Sequence, residues 1–136
     1  MELHELPLKK RKKGDSKIPG RAGQAFNAEP DENNAGYIVG CLELPPLGIK
    51  AEESVGPSFQ IFNVGDCQPK SVELALADPE LNGGNFDPKT ARRFLLSKGD
   101  MFHIPPANVY QVQNHSKTND CSLTWTIVRP PVRQEE

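Results

Sequence analysis

The stretch that most constrains the fold is residues 99–114, which reads as a strand, an abrupt corner and a second strand. Residues 101–104 have strand character, and the two prolines at 105–106 cannot donate a backbone hydrogen bond. We expect Asn108, which tolerates a positive φ, to help reverse the chain into a hairpin. Residues 109–113 then alternate apolar and polar side chains on the return strand. Two strands joined by a rigid proline corner are typical of a jelly-roll barrel.

The rest of the chain contains further short segments with strand character, separated by turn signals. We predict strands at 37–44, 58–64, 70–76, 92–96 and 122–128, with polar loops at 47–57 and 78–90. The 13 prolines and 11 glycines suit many short strands and turns, and no helical pattern stands out. The sequence therefore predicts an all-β fold of seven or eight short antiparallel strands.

The first 34 residues are predicted to be a flexible basic tail, because they have almost no periodic apolar content. The tail contains five adjacent cations: Lys9, Lys10, Arg11, Lys12 and Lys13. They fit a nuclear-import signal, a loose phosphate contact, or a solvated charge run in a linker. We expect the folded domain to span 35–131 and a short C-terminal tail to span 132–136. No run of the sequence approaches the roughly 18 apolar residues of a membrane span, so no membrane partner is expected.

Charge is distributed unevenly between the tail and the rest of the chain. Residues 1–21 contain 7 of the 16 basic and 3 of the 18 acidic residues. The remainder therefore has 16 − 7 = 9 basic and 18 − 3 = 15 acidic residues, a net charge of −6. An acidic globular part is a poor surface for nucleic acid.

The spacing of five residues around the proline corner resembles the second motif of the cupin family. These residues are Gly99, Pro105, Ala107, Tyr110 and Asn114. Ala107 stands where the motif has glycine, and Tyr110 stands where it has a metal-binding histidine. The resemblance implies a cupin-type jelly-roll barrel with Tyr110 pointing inward. By alternation we expect Trp125 to point inward as well, so that both rings either line a cavity or fill the barrel.

Residues 102–114, including Asn108 after the corner, are more narrowly similar to the C-terminal cupin domain of the centromere protein C (CENP-C) family, of the fungal type. Residues 40–46 with Lys50 resemble that family's opening strand, and residues 123–127 resemble its closing strand. The resemblance covers about residues 36–128. It implies a nuclear homodimer that acts as a scaffold in the inner kinetochore at centromeres. A kinetochore or centromere-regulating protein would dock on the cupin, and regions outside this chain would make most contacts with the centromeric nucleosome and DNA.

The sequence offers little material for a metal site or for catalysis. Its only histidines are His4, His103 and His115, and none lies in residues 58–76, where the first cupin motif should fall. A phenol such as that of Tyr110 is a poor metal ligand at neutral pH. We therefore expect no metal, no cofactor and no enzymatic activity. The alternative is a metal-free cupin that binds or converts a small molecule near Tyr110 and Trp125.

Residues 58–64 are apolar on both faces of the predicted strand, so both faces need a cover. The barrel core covers one face, and a partner subunit is the obvious cover for the other. On residues 101–104, alternation places Phe102 and Ile104 on one face and Met101 and His103 on the other. If the first pair faces the core, His103 faces outward or into a partner. His103 is then either a hydrogen-bonded structural histidine or a pH-sensitive interface residue. Because the orientation is open, the candidate dimer-interface residues are Phe59, Ile61, Phe62, Val64, Met101 and His103.

Overall fold

The computed structural model describes residues 1–6, 18–77, 80, 83 and 85–133. The basic cluster at 9–13 and residues 134–136 lie outside the described residues. Within these ranges, no helix has the length and hydropathy that crossing a bilayer requires. The described residues form ten β-strands: β1 (His4–Glu5), β2 (Arg21–Ala28), β3 (Gly36–Leu44), β4 (Ile49–Glu53), β5 (Phe59–Val64), β6 (Val72–Leu76), β7 (Arg92–Leu96), β8 (Met101–Ile104), β9 (Tyr110–Asn114) and β10 (Cys121–Arg129).

The strands form two antiparallel sheets. One has six strands in the order β1-β2-β3-β10-β5-β8, and the other has four in the order β4-β9-β6-β7. The core consists of apolar side chains from both sheets: Leu42, Leu44, Phe62, Val64, Val72, Leu74, Ile104, Tyr110, Val112, Cys121 and Leu123. Strict alternation along β9, where Tyr110, Val112 and Asn114 are buried, turns every second side chain inward. The predicted all-β jelly-roll fold is confirmed.

The proline corner joins the two sheets, which differs from the predicted hairpin. β8 pairs with β5 in the six-stranded sheet, whereas β9 pairs with β4 and β6 in the four-stranded sheet. The positive φ of the corner belongs to Ala107 (65°), at the glycine position of the cupin motif, and not to Asn108. Asn108 instead donates from Nδ2 to the Pro106 carbonyl at 3.2 Å. Asn108 therefore does help to close the reversal, but the expectation that it takes the positive φ was wrong, because Ala107 takes it.

Three strands lie where the sequence predicted irregular structure. β1 and β2 fall within the predicted tail of residues 1–34, and β4 falls within the predicted loop of residues 47–57. The tail prediction is therefore wrong for β2, which pairs with β3 along most of its length. Most β2 side chains are exposed, and main-chain pairing holds the strand in place, so its sequence lacks the apolar alternation of a core strand.

Candidate functional site

The centre of the barrel is filled by three aromatic rings. Phe62 stacks on Phe102 with ring centroids 4.8 Å apart, and it meets the ring of Tyr110 edge-on at 5.6 Å. Phe62 and Tyr110 are completely buried. Tyr110 thus occupies the inward position that the cupin resemblance implied, and its neighbours are side chains that make van der Waals contact with it.

The hydroxyl end of Tyr110 lies in a small polar cluster. Tyr110 donates to Glu53 Oε1 at 3.3 Å, and Lys50 Nζ lies 3.1 Å from Glu53 Oε2 and 4.9 Å from the centre of the Tyr110 ring. Burial, reinforced by the negative charge of Glu53, raises the pKa of Tyr110 far above its ordinary value. Burial also lowers the pKa of Lys50, although Glu53 opposes that shift. At neutral pH Tyr110 is therefore a neutral hydrogen-bond donor, which is the wrong protonation state for a metal ligand.

Across the described ranges, no group of three or more His, Cys, Asp or Glu side chains is placed to hold a metal ion. Close to Tyr110, Gln60 is buried, and its Oε1 has no hydrogen-bond partner among the described residues. This acceptor is the one unsatisfied polar atom at the barrel centre that the structure describes.

Asn114, at the end of the cupin motif, acts as a structural clamp. Its side chain is completely buried. Nδ2 lies 3.3 Å from the Leu44 carbonyl, 3.1 Å from the Pro45 carbonyl and 2.9 Å from the Asn119 carbonyl, and Oδ1 accepts from the Ser116 amide at 3.0 Å. One side chain therefore ties together two loops at the same end of the barrel.

The other motif residues form turns. Gly99 has a φ of +89° in the turn between β7 and β8, and its amide donates to the Val64 carbonyl at 2.9 Å. Pro105 accepts from the amide of Asn108 at 3.3 Å, which closes the corner. These positions need special backbone geometry and not a particular reactive group.

Trp125 lies on the inner face of β10, opposite Gly40 on β3 and Phe62 on β5. A Cβ atom added at Gly40 would lie 2.4 Å from Cζ2 of the indole, so the glycine leaves room for the ring. The indole is half-buried and packs against the core. Phe62 therefore lies beside both Trp125 and Tyr110, and its ring fills space between these two candidate cavity residues.

The structure separates the candidate interface residues into two groups. Phe62 and Val64 point into the barrel and are 0% and 4% exposed, which contradicts their prediction as interface residues. On the opposite side of β5, Phe59 is half-buried and Ile61 is exposed. Alternation along β5 places Phe62 and Val64 on one face and Phe59 and Ile61 on the other. Phe62 lies on the inward face because it pairs with Phe102, whose side chain packs against the core.

The remaining candidates share the outward side of the six-stranded sheet. On β8, Met101 is 70% exposed and His103 is exposed. The His103 ring meets Phe59 edge-on with centroids 5.4 Å apart, and it makes no hydrogen bond to a described residue. His103 therefore lies on the outward side of the sheet, and of the two alternatives drawn from the sequence the hydrogen-bonded structural histidine does not fit this position.

The same side of the sheet has further apolar residues that sequence reasoning missed. Phe26 on β2 and Tyr37 on β3 are exposed, and their rings meet edge-on at 5.9 Å. Side-chain alternation along residues 37–44 indicates these outward positions, because Tyr37 and Val39 lie on the opposite face of the strand from the core residue Leu42. The outer face is defined here as Phe26, Tyr37, Val39, Phe59, Ile61, Met101, His103 and Val128. One register row crosses it from Phe26 through Val39, Thr126 and Ile61 to His103.

This arrangement of two sheets around an inward-facing motif defines the chain as a cupin-fold protein. No family model matches the sequence, and none of the curated proteins matches it. Among solved structures it is similar to the Schizosaccharomyces pombe Cnp3 cupin domain, with 18% identity, a TM-score of 0.60, and coverage of 82% of this chain and 61% of that one. This chain therefore spans about three fifths of that structure.

Two other similar structures come from a Halomonas species and from Drosophila melanogaster. KdgF from Halomonas sp. has 14% identity and a TM-score of 0.58, and the match covers 96% of this chain and 89% of that one. Drosophila melanogaster CENP-C bound to CAL1 has 13% identity and a TM-score of 0.51, covering 74% and 77%. At these identities the likeness establishes the fold, and function depends on the site.

Proposed function

We propose that this chain is a non-enzymatic homodimerisation and protein-docking module of a CENP-C-type scaffold in the inner kinetochore, located in the nucleus at centromeres. The observation that carries the proposal is the outer face, where large apolar side chains from five neighbouring strands point away from the core. The sequence resemblance to CENP-C cupins and the presence of Cnp3 and CENP-C cupins among the structural neighbours support it.

A second copy of the chain is the occupant proposed for the outer face. A sheet with one face on its own core and an apolar opposite face is stable when another layer covers that face. Two copies related by a two-fold axis would bring each outer face against the other. Ile61 lies between Thr126 and His103 in the register row and is 36% exposed, so it would lie within such an interface.

The filled barrel supports the non-enzymatic part of the proposal. Phe62, Phe102 and Tyr110 occupy its centre in ring contact, and the phenol of Tyr110 keeps its proton. Pairing two copies would also raise the effective concentration of segments attached to each copy, including nucleosome-binding regions outside this chain. A kinetochore or centromere-regulating protein is the proposed partner. The CENP-C structure bound to CAL1 gives a precedent for a protein partner in a related fold.

The second candidate is a metal-free cupin that binds or converts a small polar molecule. The buried and unsatisfied Oε1 of Gln60, close to Tyr110, favours it. A ligand that donates a hydrogen bond there would raise thermal stability, and Gln60→Leu would abolish that rise. A dimerisation module predicts no such ligand dependence.

The experiment that tests the proposed function is the localisation of the fluorescently tagged chain in cells of its source organism, with the protein carrying Ile61→Asp as the paired variant. We expect the unchanged chain to form foci on the centromeric histone, and the variant to lose most of that signal at equal abundance. A diffuse signal from both proteins, or foci away from centromeres, would contradict the centromeric assignment.

A further inference from the structure

Strand β7 is an exposed edge with apolar side chains on both of its faces. It forms one end of the four-stranded sheet, and within the described part of the chain it pairs only with β6. Phe94 is 40% exposed and Leu95 is 56% exposed, although they are neighbours on one strand and point to opposite sides. An edge strand with such side chains presents both a main-chain ladder and apolar contact surface.

The core ends abruptly at this strand. In the register, Phe94 lies beside Leu74, which is 2% exposed, so burial drops sharply between two adjacent residues on the inner face. On the outer face Leu95 lies beside Glu73, which is bound by Arg93 at 2.7 Å. One additional strand next to β7 would continue the inner layer over Phe94 and the outer layer over Leu95.

The edge is basic within an acidic globular part. Residues 88–98 contain Lys89, Arg92, Arg93 and Lys98 and no acidic residue, whereas residues 22–136 as a whole have a net charge of −6. Arg93 pairs with Glu73 at 2.7 Å and Lys98 pairs with Asp66 at 3.2 Å, so Lys89 and Arg92 are the cations that would attract a partner. Arg92 lies over the Phe94 ring, 5.8 Å from its centre, and no described carboxylate forms an ion pair with it. This local charge disfavours pairing between two copies of β7, since that would bring two basic segments together. It favours an acidic occupant.

We propose that β7 binds an extended acidic segment of a partner protein, which adds to the four-stranded sheet as a fifth strand. The main chain of the segment would complete the β7 ladder, while its apolar side chains cover Phe94 and Leu95 and its carboxylates approach Arg92 and Lys89. This inference rests on the proposed docking function and places the docking surface at β7. The position is separate from the outer face, because it belongs to the other sheet.

The test uses a displayed library of random twelve-residue peptides selected against the whole chain. We expect enriched peptides to alternate apolar and acidic residues, and to protect the amides of residues 92–96 from hydrogen exchange. Leu95→Asp should weaken these peptides about tenfold or more, because it replaces an apolar contact with a carboxylate that repels the peptide. Raising the salt concentration should weaken the unchanged complex as well. Failure to enrich any peptide, or protection confined to other strands, would overturn the proposal.

Ile61→Asp is the matched control for Leu95→Asp. Both replace an exposed apolar side chain on a strand with a carboxylate, but on different sheets. We expect Ile61→Asp to lose the dimer and keep peptide affinity, and Leu95→Asp to keep the dimer and lose peptide affinity. Intact peptide affinity in Leu95→Asp refutes the β7 site even if the dimer exists. A monomeric unchanged chain that binds acidic peptides at β7 refutes the dimer and leaves the β7 site standing.

Discussion

Neighbouring residues on β5 should respond very differently to truncation. Phe62→Ala should strongly destabilise the fold, whereas Ile61→Ala should have a modest effect on the folded subunit. Phe62 is completely buried and contacts the rings of Phe102 and Tyr110, while Ile61 is 36% exposed on the opposite face. The pair therefore tests which side of the strand faces the core.

The expected magnitudes follow from burial. Removing a buried phenylalanine side chain costs about 3–5 kcal/mol, which includes the cavity that remains. Truncating a partly exposed isoleucine removes about 1–1.5 kcal/mol of apolar burial. We expect Phe62→Ala to lower the free energy of unfolding by at least about 1.5 kcal/mol more than Ile61→Ala does.

Urea denaturation followed by the fluorescence of the single tryptophan, Trp125, and by circular dichroism measures both values. The experiment needs two protein concentrations, because subunit association adds a concentration-dependent term to stability. Equal destabilisation by the two variants at low concentration, or a larger effect of Ile61→Ala, would refute the assignment of Phe62 to the core.

Three further predictions concern the corner, the clamp and pH. Asn114→Leu should lower the free energy of unfolding by at least about 2 kcal/mol in urea titration, because the buried Leu44 carbonyl and Ser116 amide lose their hydrogen bonds to its side chain; a neutral effect would contradict the clamp. Ala107→Gly should raise the free energy of unfolding by up to about 1 kcal/mol, and with it the melting temperature, because glycine adopts the φ of 65° found at Ala107 without strain; a lower melting temperature would show that the positive φ carries no strain. Burial raises the pKa of Cys121 to about 12, so the folded state keeps a proton that the unfolded state releases near pH 9. Stability should fall as pH rises from about 9 to 12, and Cys121→Ala should reduce the slope of that decline, most clearly below about pH 10, where the raised pKa of Tyr110 contributes little; an unchanged slope would contradict this role of the thiol.

Side-chain alternation made some features of the structure predictable from the sequence. A strand repeats every two residues, so the division of β5 into Phe62 with Val64 and Phe59 with Ile61 follows directly. The sequence left open which group faces the core, because both are apolar. The structure decides this through the pairing of Phe62 with Phe102.

Other features depend on pairing between distant segments, which local sequence does not encode. β2 is a strand because β3 offers a main-chain ladder, although most β2 side chains are exposed. The proline corner fits both a hairpin and a crossing between sheets, and the partners of β8 and β9 determine which occurs. β7 was predicted as a strand, but its position at a sheet edge follows only from the complete strand order.

The pairing of two copies through the outer face is tested by the solution mass, measured by light scattering after size exclusion. One subunit has a mass of 15.0 kDa, so a dimer has 2 × 15.0 = 30.0 kDa. Across a dilution series from about 100 to 1 µM, we expect the unchanged chain and Leu95→Asp to give the dimer mass at the upper end. Ile61→Asp should give the monomer mass throughout and remain folded by circular dichroism. A monomeric unchanged chain, or a dimer that Ile61→Asp leaves intact, would contradict pairing through the outer face.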